Sequence, residues 1–130
     1  MNNELLLGLA FKYGCPLYVY DAEKIISQYH RLRNAFGPIR KPEINYAVKA
    51  NSNISMLKLL KSLGANIDCV SIGEVLLGLE AGFNPKQISY TPNGVSFAEL
   101  AEVAELGVKI NVDNLQILEA FGEKYPEYSG

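Results

Sequence analysis

Lys49 is the residue of this sequence best suited to chemistry. It lies near the end of an apolar run, Ile44 to Asn51, whose Ile, Val and Tyr content is typical of a β-strand. In folds built from parallel strands, ligands and catalytic groups gather at the carboxyl ends of the strands. Burial there disfavours the charged form of a lysine, and a neutral amine can attack an aldehyde to form a Schiff base. The alternative is an exposed lysine whose stem covers apolar surface.

Other polar residues follow the later strand-like runs. Asp68 lies on the next run, where its carboxylate either holds Lys49 in place or accepts backbone hydrogen bonds as a structural group. A Ser-x-x-Glu capping box explains Ser71 and Glu74 by itself. The remaining candidates are predicted to be structural: Asn93 in a turn, Asn111 at a strand end, Asp113 as a helix N-cap and His30 exposed on a helix.

Composition excludes several classes of protein. The 130 residues contain 12 Lys and Arg against 14 Asp and Glu, so no basic surplus favours nucleic acid or an anionic membrane. The apolar runs fall short of the ~20 residues that span a bilayer, and residues 1–10 lack a signal-peptide pattern. Two cysteines and one histidine exclude a Cys–His zinc site, so no metal is expected. Such a low number of cysteines is typical of a protein with free thiols in a reducing cytoplasm. A Cys15–Cys69 disulfide is the alternative.

The elements that position these residues alternate regularly from residue 41 onward. Strand-like runs recur about every 20 residues, and helical patterns with apolar residues at i, i+3, i+4 and i+7 separate them. The runs are EINYAVKA, NIDCVS, QISYTP and VKINVD, which start at residues 43, 66, 87 and 108. Gly64, Gly82 and Gly107 follow helical patterns, where a left-handed C-cap is expected. This alternation predicts an α/β fold with parallel strands joined by right-handed crossovers.

The strands distinguish between the two common parallel architectures. In the fourth run the apolar residues Val108, Ile110 and Val112 alternate with polar ones, so one face is apolar and the other semi-polar. A doubly wound sheet buries both faces and prefers continuously apolar strands, whereas a barrel tolerates a semi-polar lumen. The sequence therefore predicts about four β/α units, the N-terminal portion of a TIM-type (β/α)8 barrel. Eight units need about 200 residues or more, so we expect these residues to belong to a longer protein.

The segment before this alternation is different in kind. PLYVY at residues 16–20 has the composition of a strand, and Asp21 is expected to cap a helix from Ala22 to about Phe36. Gly37-Pro38 and Lys41-Pro42 then close that helix and form a short linker. The PLYVY strand therefore need not join the sheet of the later strands.

Motifs at four places resemble those of one enzyme family, the fold-type III pyridoxal-phosphate decarboxylases. They are PLYVYD at residues 16–21, YAVKANS at 46–52, DCVS at 68–71 followed by Gly73 and Glu74, and INVD at 110–113. The family includes diaminopimelate, ornithine and arginine decarboxylases, and its lysine carries pyridoxal 5'-phosphate as a Schiff base. The resemblance covers essentially the whole chain. It implies that Lys49 is the catalytic and cofactor-binding lysine, and that Ala47 and Asp68 lie beside the cofactor.

The resemblance also implies a domain organisation. Residues 1–21 would form an N-terminal segment with a strand of a separate β-domain, and residues 22–130 the first half of a pyridoxal-phosphate-binding barrel, incomplete here. Residues 1–20 would then lack their packing partner. In the family, the ring-stacking histidine, the phosphate loop and the acid at the ring nitrogen come from later sequence. This chain carries no G-x-G-x-x-G or P-loop motif, and its Asn93 loop lacks the lysine that many members have there.

The implied reaction is decarboxylation of a small amino-acid substrate. PLYVYD followed by YAVKAN is the usual opening of the branch that converts meso-diaminopimelate to L-lysine and carbon dioxide in lysine biosynthesis. Ornithine or arginine decarboxylation in polyamine synthesis is one alternative, because the segments that choose the substrate lie downstream. A non-catalytic pyridoxal-phosphate-binding protein or interaction module is another. Full-length members are homodimers with sites at the interface, so we expect residues 1–130 alone to be inactive.

Overall fold

Two units make up the fold. The structure, a computed structural model, describes residues 2–37 in the first unit and 42–130 in the second. The predicted linker residues Pro38 and Lys41 lie outside the described residues, and the predicted domain boundary after residue 21 falls inside the first unit and stays a prediction. Among residues 2–37 and 42–130, no helix has both the length and the apolar composition that crossing a membrane requires.

The first unit contains two helices, α1 (Asn3–Tyr13) and α2 (Ala22–Phe36). The bounds of α2 are those that the sequence predicts, and Asp21 caps it by accepting a hydrogen bond from Lys24 N at 3.1 Å. This hydrogen bond lowers the pKa of the Asp21 carboxyl, because the charged form is the better acceptor. Helix α1 was not predicted from the sequence; Asn2 caps it through Leu5 N at 2.9 Å.

The predicted strand at residues 16–20 is not formed in this structure. A strand exists only when a neighbouring strand exchanges backbone hydrogen bonds with it, and none of the described strands pairs with this segment. Its large side chains are exposed: Tyr18 has an exposed fraction of 87%, and Phe11 in α1 one of 93%. The exposure agrees with the expected poor packing of residues 1–20, whereas their membership of a β-domain stays a prediction.

The second unit is a parallel sheet whose strands follow one another in chain order. Each strand is followed by a helix, in the order β1 (Asn45–Ala47), α3 (Ile54–Ser62), β2 (Asn66–Cys69), α4 (Ile72–Glu80), β3 (Ile88–Tyr90), α5 (Phe97–Glu105), β4 (Lys109–Ile110) and α6 (Leu115–Lys124). Short 3-10 helices lie at Val48–Ala50 and Pro85–Gln87. The strand order shows no reversal of the kind that marks a doubly wound sheet. The four predicted β/α units of a (β/α)8-type barrel are confirmed.

Most helix ends of this unit follow the predicted signals. Ser71 and Ser96 cap α4 and α5 by accepting hydrogen bonds from backbone N–H groups three residues later. Glycines with a positive φ follow α3, α4 and α5: Gly64 at 86°, Gly82 at 90° and Gly107 at 68°.

The predicted cap of α6 is wrong by one residue. Asn114, and not Asp113, accepts hydrogen bonds from Gln116 N at 2.9 Å and Ile117 N at 3.2 Å. Asn and Asp are about equally good N-caps, so two adjacent candidates could not be separated by residue type.

The core lies between the apolar face of the sheet and the helices. Ile67 of β2 is in register with Ile88 of β3, and Cys69 with Tyr90; all four side chains are fully buried. They pack with buried helical residues, among them Leu57, Val75, Leu100 and Val103. The opposite face, here called the polar face, carries Ala47, Asp68, Ser89 and Lys109 in one register row. The predicted division into an apolar and a semi-polar face is therefore confirmed.

Candidate functional site

Lys49 lies directly after β1, at the carboxyl edge of the sheet. The strand ends at Ala47, and a 3-10 turn replaces its predicted continuation, closed by Asn51 N donating to Val48 O at 3.1 Å. Val48 is fully buried and anchors the turn, whereas the Lys49 side chain is exposed. The predicted loss of hydration at Lys49 is therefore not present, because the described strands leave the polar face uncovered. The amine is accessible to a ligand.

Asn51 holds the chain in place after Lys49. Its Oδ1 accepts a hydrogen bond from Asn53 N at 3.0 Å, and its backbone oxygen accepts one from the Tyr46 hydroxyl at 3.2 Å. The remaining polar atom of its side chain, Nδ2, is buried and has no hydrogen-bond partner among the described residues. A buried donor without a partner is costly, so this atom is suited to meet an acceptor atom of a ligand beside Lys49.

Asp68 is the acidic residue on the polar face of β2. It is half-buried and in register with Ala47. Ala47 itself lies two residues before Lys49 in the chain. Its Oδ1 accepts a hydrogen bond from Thr91 Oγ1 at 2.7 Å, and Thr91 Oγ1 accepts one from Asn111 Nδ2 at 2.8 Å. The side chain is thus bonded to other side chains, and not to backbone as the structural alternative required.

Ala47 faces the same side of the sheet as Asp68. Its side chain is a single methyl group, which takes up little space beside Asp68. The structure therefore places Ala47 and Asp68 side by side on two paired strands, and Lys49 in the turn that directly follows Ala47.

No role was assigned to Thr91 from the sequence, and Asn111 was predicted only as a structural residue at a strand end. The signal was present in the alternation of the strands, since Thr91 and Asn111 each fall on the polar side directly after an apolar strand residue, Tyr90 and Ile110. Their side-chain hydrogen bonds join β2 to the ends of β3 and β4. Hydrogen bonding of this kind depends on register, which spacing alone does not give.

The other candidate residues have structural environments. Ser71 caps α4, and the Glu74 carboxylate accepts a hydrogen bond from Val70 N at 2.8 Å. His30 lies exposed on α2 in the first unit, as predicted, with its ring edge against Tyr29. Asn93 is exposed in the turn after β3 and lines a cleft of about 230 Å³ beside the ends of β3 and β4.

The two cysteines are free thiols, and the alternative of a disulfide between them is wrong. Cys15 is exposed, whereas Cys69 is buried on the apolar face of β2. Burial, together with the nearby carboxylates of Glu74 and Asp68, raises the pKa of the Cys69 thiol to about 12. Cys69 is therefore an inert core residue and not a nucleophile.

Comparisons with known proteins identify the family to which this chain is similar. Residues 22–129 match a family model described as "Pyridoxal-dependent decarboxylase, pyridoxal binding domain". A Methanothermobacter thermautotrophicus protein named diaminopimelate decarboxylase is 43% identical over 97% of this chain, which spans 31% of that relative's length. The structure of diaminopimelate decarboxylase from Helicobacter pylori complexed with L-lysine has 36% identity and a TM-score of 0.81, over 96% of this chain and 32% of that one. That of lysine/ornithine decarboxylase complexed with putrescine from Vibrio vulnificus has 26% identity and a TM-score of 0.85, over 95% of this chain and 34% of that one.

Proposed function

The chain belongs to the pyridoxal-dependent decarboxylases, within their pyridoxal binding domain, and from that premise we propose that Lys49 binds pyridoxal 5'-phosphate covalently. The observation that carries the proposal is the exposed amine of Lys49 directly after β1, at the carboxyl edge of a parallel sheet. The proposed reaction of the whole protein is decarboxylation of meso-diaminopimelate to L-lysine and carbon dioxide.

The residues around Lys49 fit the aldehyde end of this cofactor. Lys49 offers a primary amine, Ala47 leaves space beside it, and the buried Nδ2 of Asn51 lacks a partner among the described residues. When bound, the cofactor supplies an electron sink for the electron pair left as carbon dioxide departs. The chain's own contribution is to hold the Lys49 amine at the sheet edge.

Asp68 contributes a fixed negative charge on the polar face. Its hydrogen bond from Thr91 orients one carboxylate oxygen, so the position of the charge is set before any ligand binds. Charges held in advance cost no reorganisation during a reaction, which is how a protein favours the development of opposite charge nearby. We assign Asp68 the role of placing the Lys49 amine.

The choice of diaminopimelate as substrate rests on the names of the similar proteins. The relative from Methanothermobacter thermautotrophicus is named for this substrate, and the Helicobacter pylori enzyme holds L-lysine, the expected product. Ornithine decarboxylation is the second candidate, because the structure of the lysine/ornithine enzyme from Vibrio vulnificus has the higher TM-score, 0.85 against 0.81. Homodimeric assembly stays a prediction.

Borohydride reduction tests the role of Lys49. The protein is purified at the length at which its organism makes it, loaded with pyridoxal phosphate, reduced and digested, and the labelled peptide is identified by mass. We expect the label on Lys49, its loss in Lys49→Arg, and its retention in Lys58→Arg, a matched exposed lysine on α3. A label on another lysine would exclude Lys49 from this role.

Turnover measurements separate the substrates. Carbon dioxide release is compared for meso-diaminopimelate, ornithine and arginine with the same cofactor-loaded protein. Release from meso-diaminopimelate at the highest kcat/KM supports the proposal, and preference for either other amino acid replaces it. A protein labelled at Lys49 that turns over none of the three would be a non-catalytic binder of the cofactor.

A further inference from the structure

Three polar side chains form a hydrogen-bonded series across the polar face, here called the Asn111–Thr91–Asp68 relay. Asn111 Nδ2 donates to Thr91 Oγ1 at 2.8 Å, and Thr91 Oγ1 donates to Asp68 Oδ1 at 2.7 Å. The three residues come from different β/α units, and both hydrogen bonds lie within the ordinary range for strong bonds. The relay leads from the end of β4 to the carboxylate in register with Ala47.

The chemistry of the groups fixes the direction of the relay. An amide nitrogen only donates, an ionised carboxylate only accepts, and a hydroxyl has one proton to give. Because Asn111 donates to the Thr91 oxygen, the single Thr91 proton is free to point at Asp68. The Asp68 carboxylate therefore receives a hydrogen-bond donor of fixed orientation at its Oδ1.

The relay lies within reach of Lys49. Asp68 is in register with Ala47 across a strand spacing of about 4.8 Å. Lys49 follows Ala47 by two residues in the 3-10 turn, so its long, exposed side chain starts near the carboxyl end of the strand pair that carries Asp68. Thr91 and Asn111 are themselves exposed, where hydrogen bonds add little to stability. Their alignment on one carboxylate is thus poorly explained by folding alone.

We propose that Thr91 is a positioning residue that fixes the Asp68 carboxylate for its action on Lys49, and that Asn111 acts by directing the Thr91 hydroxyl. This inference rests on the proposed function of Lys49. It adds to the site two residues whose side-chain hydrogen bonds, among the described residues, are to each other and to Asp68. Ser89 provides the internal comparison, since it lies on the same face of β3 in register with Asp68 but makes no side-chain hydrogen bond among the described residues.

The test measures how fast pyridoxal phosphate forms its borohydride-trapped bond to Lys49, a readout that requires no turnover. The variants are Thr91→Val, Thr91→Ser, Asn111→Leu, the double variant Thr91→Val/Asn111→Leu, and Ser89→Ala as control, each in the protein at its native length. We expect Thr91→Val to slow bond formation about tenfold, because it removes a hydrogen bond to a charged group. Thr91→Ser should stay within about twofold of the unaltered rate, since it keeps the hydroxyl.

Non-additivity identifies the relay and separates it from a structural role. Asn111→Leu should slow bond formation about threefold, and the double variant should be no slower than Thr91→Val, because Asn111 acts only through Thr91. Melting temperatures of all variants should stay close to that of the unaltered protein. If Thr91→Val does not fold, the Asn111→Leu variant tests the inference in its place. An unchanged rate of bond formation at Lys49 in Asn111→Leu then overturns the inference.

The outcomes distinguish this inference from the proposed function. An unaltered protein labelled at Lys49, with Thr91→Val reacting at the same rate, overturns the relay and leaves the role of Lys49 intact. The relay is also overturned if Ser89→Ala slows the reaction as much as Thr91→Val. An unaltered protein that is never labelled at Lys49 overturns both.

Discussion

Cys69 makes the stability of the protein depend on alkaline pH. Its thiol has an ordinary pKa of 9.0, which burial raises to about 12 in the folded state. The folded state therefore keeps a proton that the unfolded state loses between these values. The stabilisation is complete below pH 9 and is lost as pH rises toward 12, by about 1.4 kcal/mol per pH unit.

Urea denaturation at about pH 8 and about pH 10.5 measures this dependence. We expect the unaltered protein to lose more free energy of unfolding between the two pH values than Cys69→Ala loses. Cys15→Ala is the matched control, because the Cys15 thiol is exposed. The same loss in both cysteine variants would contradict the assignment.

Single residues were predictable from the sequence where the local motif determines their setting. Asp21 was correctly predicted as a cap from its place before a helix. The motifs also predicted Lys49 and Asp68 as site residues, and that role stays a prediction. The exposure of Lys49 was not found, because it depends on a 3-10 turn and on which surfaces cover the polar face. The bond between Thr91 and Asp68 joins residues on different strands, and only the register of the sheet brings them together.

At the scale of elements, Gly78 sets how closely α4 lies against the sheet. A Cβ at this position would lie 2.3 Å from Ile67 Cδ1 and 3.4 Å from Ile88 Cδ1, and both isoleucines are fully buried. The core is close-packed, so these side chains cannot move without disturbing their neighbours. We expect Gly78→Ala to lower the free energy of unfolding by about 1–3 kcal/mol, measured by urea denaturation.

Gly73 is the control on the same helix. The nearest atom to a Cβ there is Ser71 Oγ at 3.9 Å, so Gly73→Ala has room and gains helix propensity. Its stability should equal or exceed that of the unaltered protein. Equal stability of the Gly78→Ala and Gly73→Ala variants would show that α4 does not depend on a close approach at Gly78.

Helices were predicted more completely than strands, for a physical reason. Apolar spacing and capping residues are local, and they gave α2 its bounds. The run EINYAVKA was predicted as one strand, yet β1 covers only Asn45–Ala47. Ile, Val and Tyr indicate that a segment is buried, whereas a strand also requires a neighbouring strand as its hydrogen-bond partner. Helix α1 was missed since its apolar residues show no amphipathic period and none is buried.

At the scale of the whole molecule, the alternation of apolar and polar residues along the strands predicted a barrel-type sheet and not a doubly wound one. Each strand pairs with the next, and the outer edges of β1 and β4 pair with no other described strand. Unpaired edges favour association with another chain. The sequence could not supply the relation of residues 2–37 to any further domain, because their exposed apolar residues do not specify a partner.

Residues 1–130 alone should not decarboxylate meso-diaminopimelate. The chain offers the Lys49 amine, yet its sequence contains no Gly-rich phosphate loop to hold the other end of the cofactor. The expected result is carbon dioxide release at the background rate with added pyridoxal phosphate, while the protein at its native length, assayed in parallel, releases it. Size-exclusion chromatography of the 130-residue chain should show associated species, because the sheet edges are open. Turnover by this chain would mean that it completes the site by itself, or by association with a second copy.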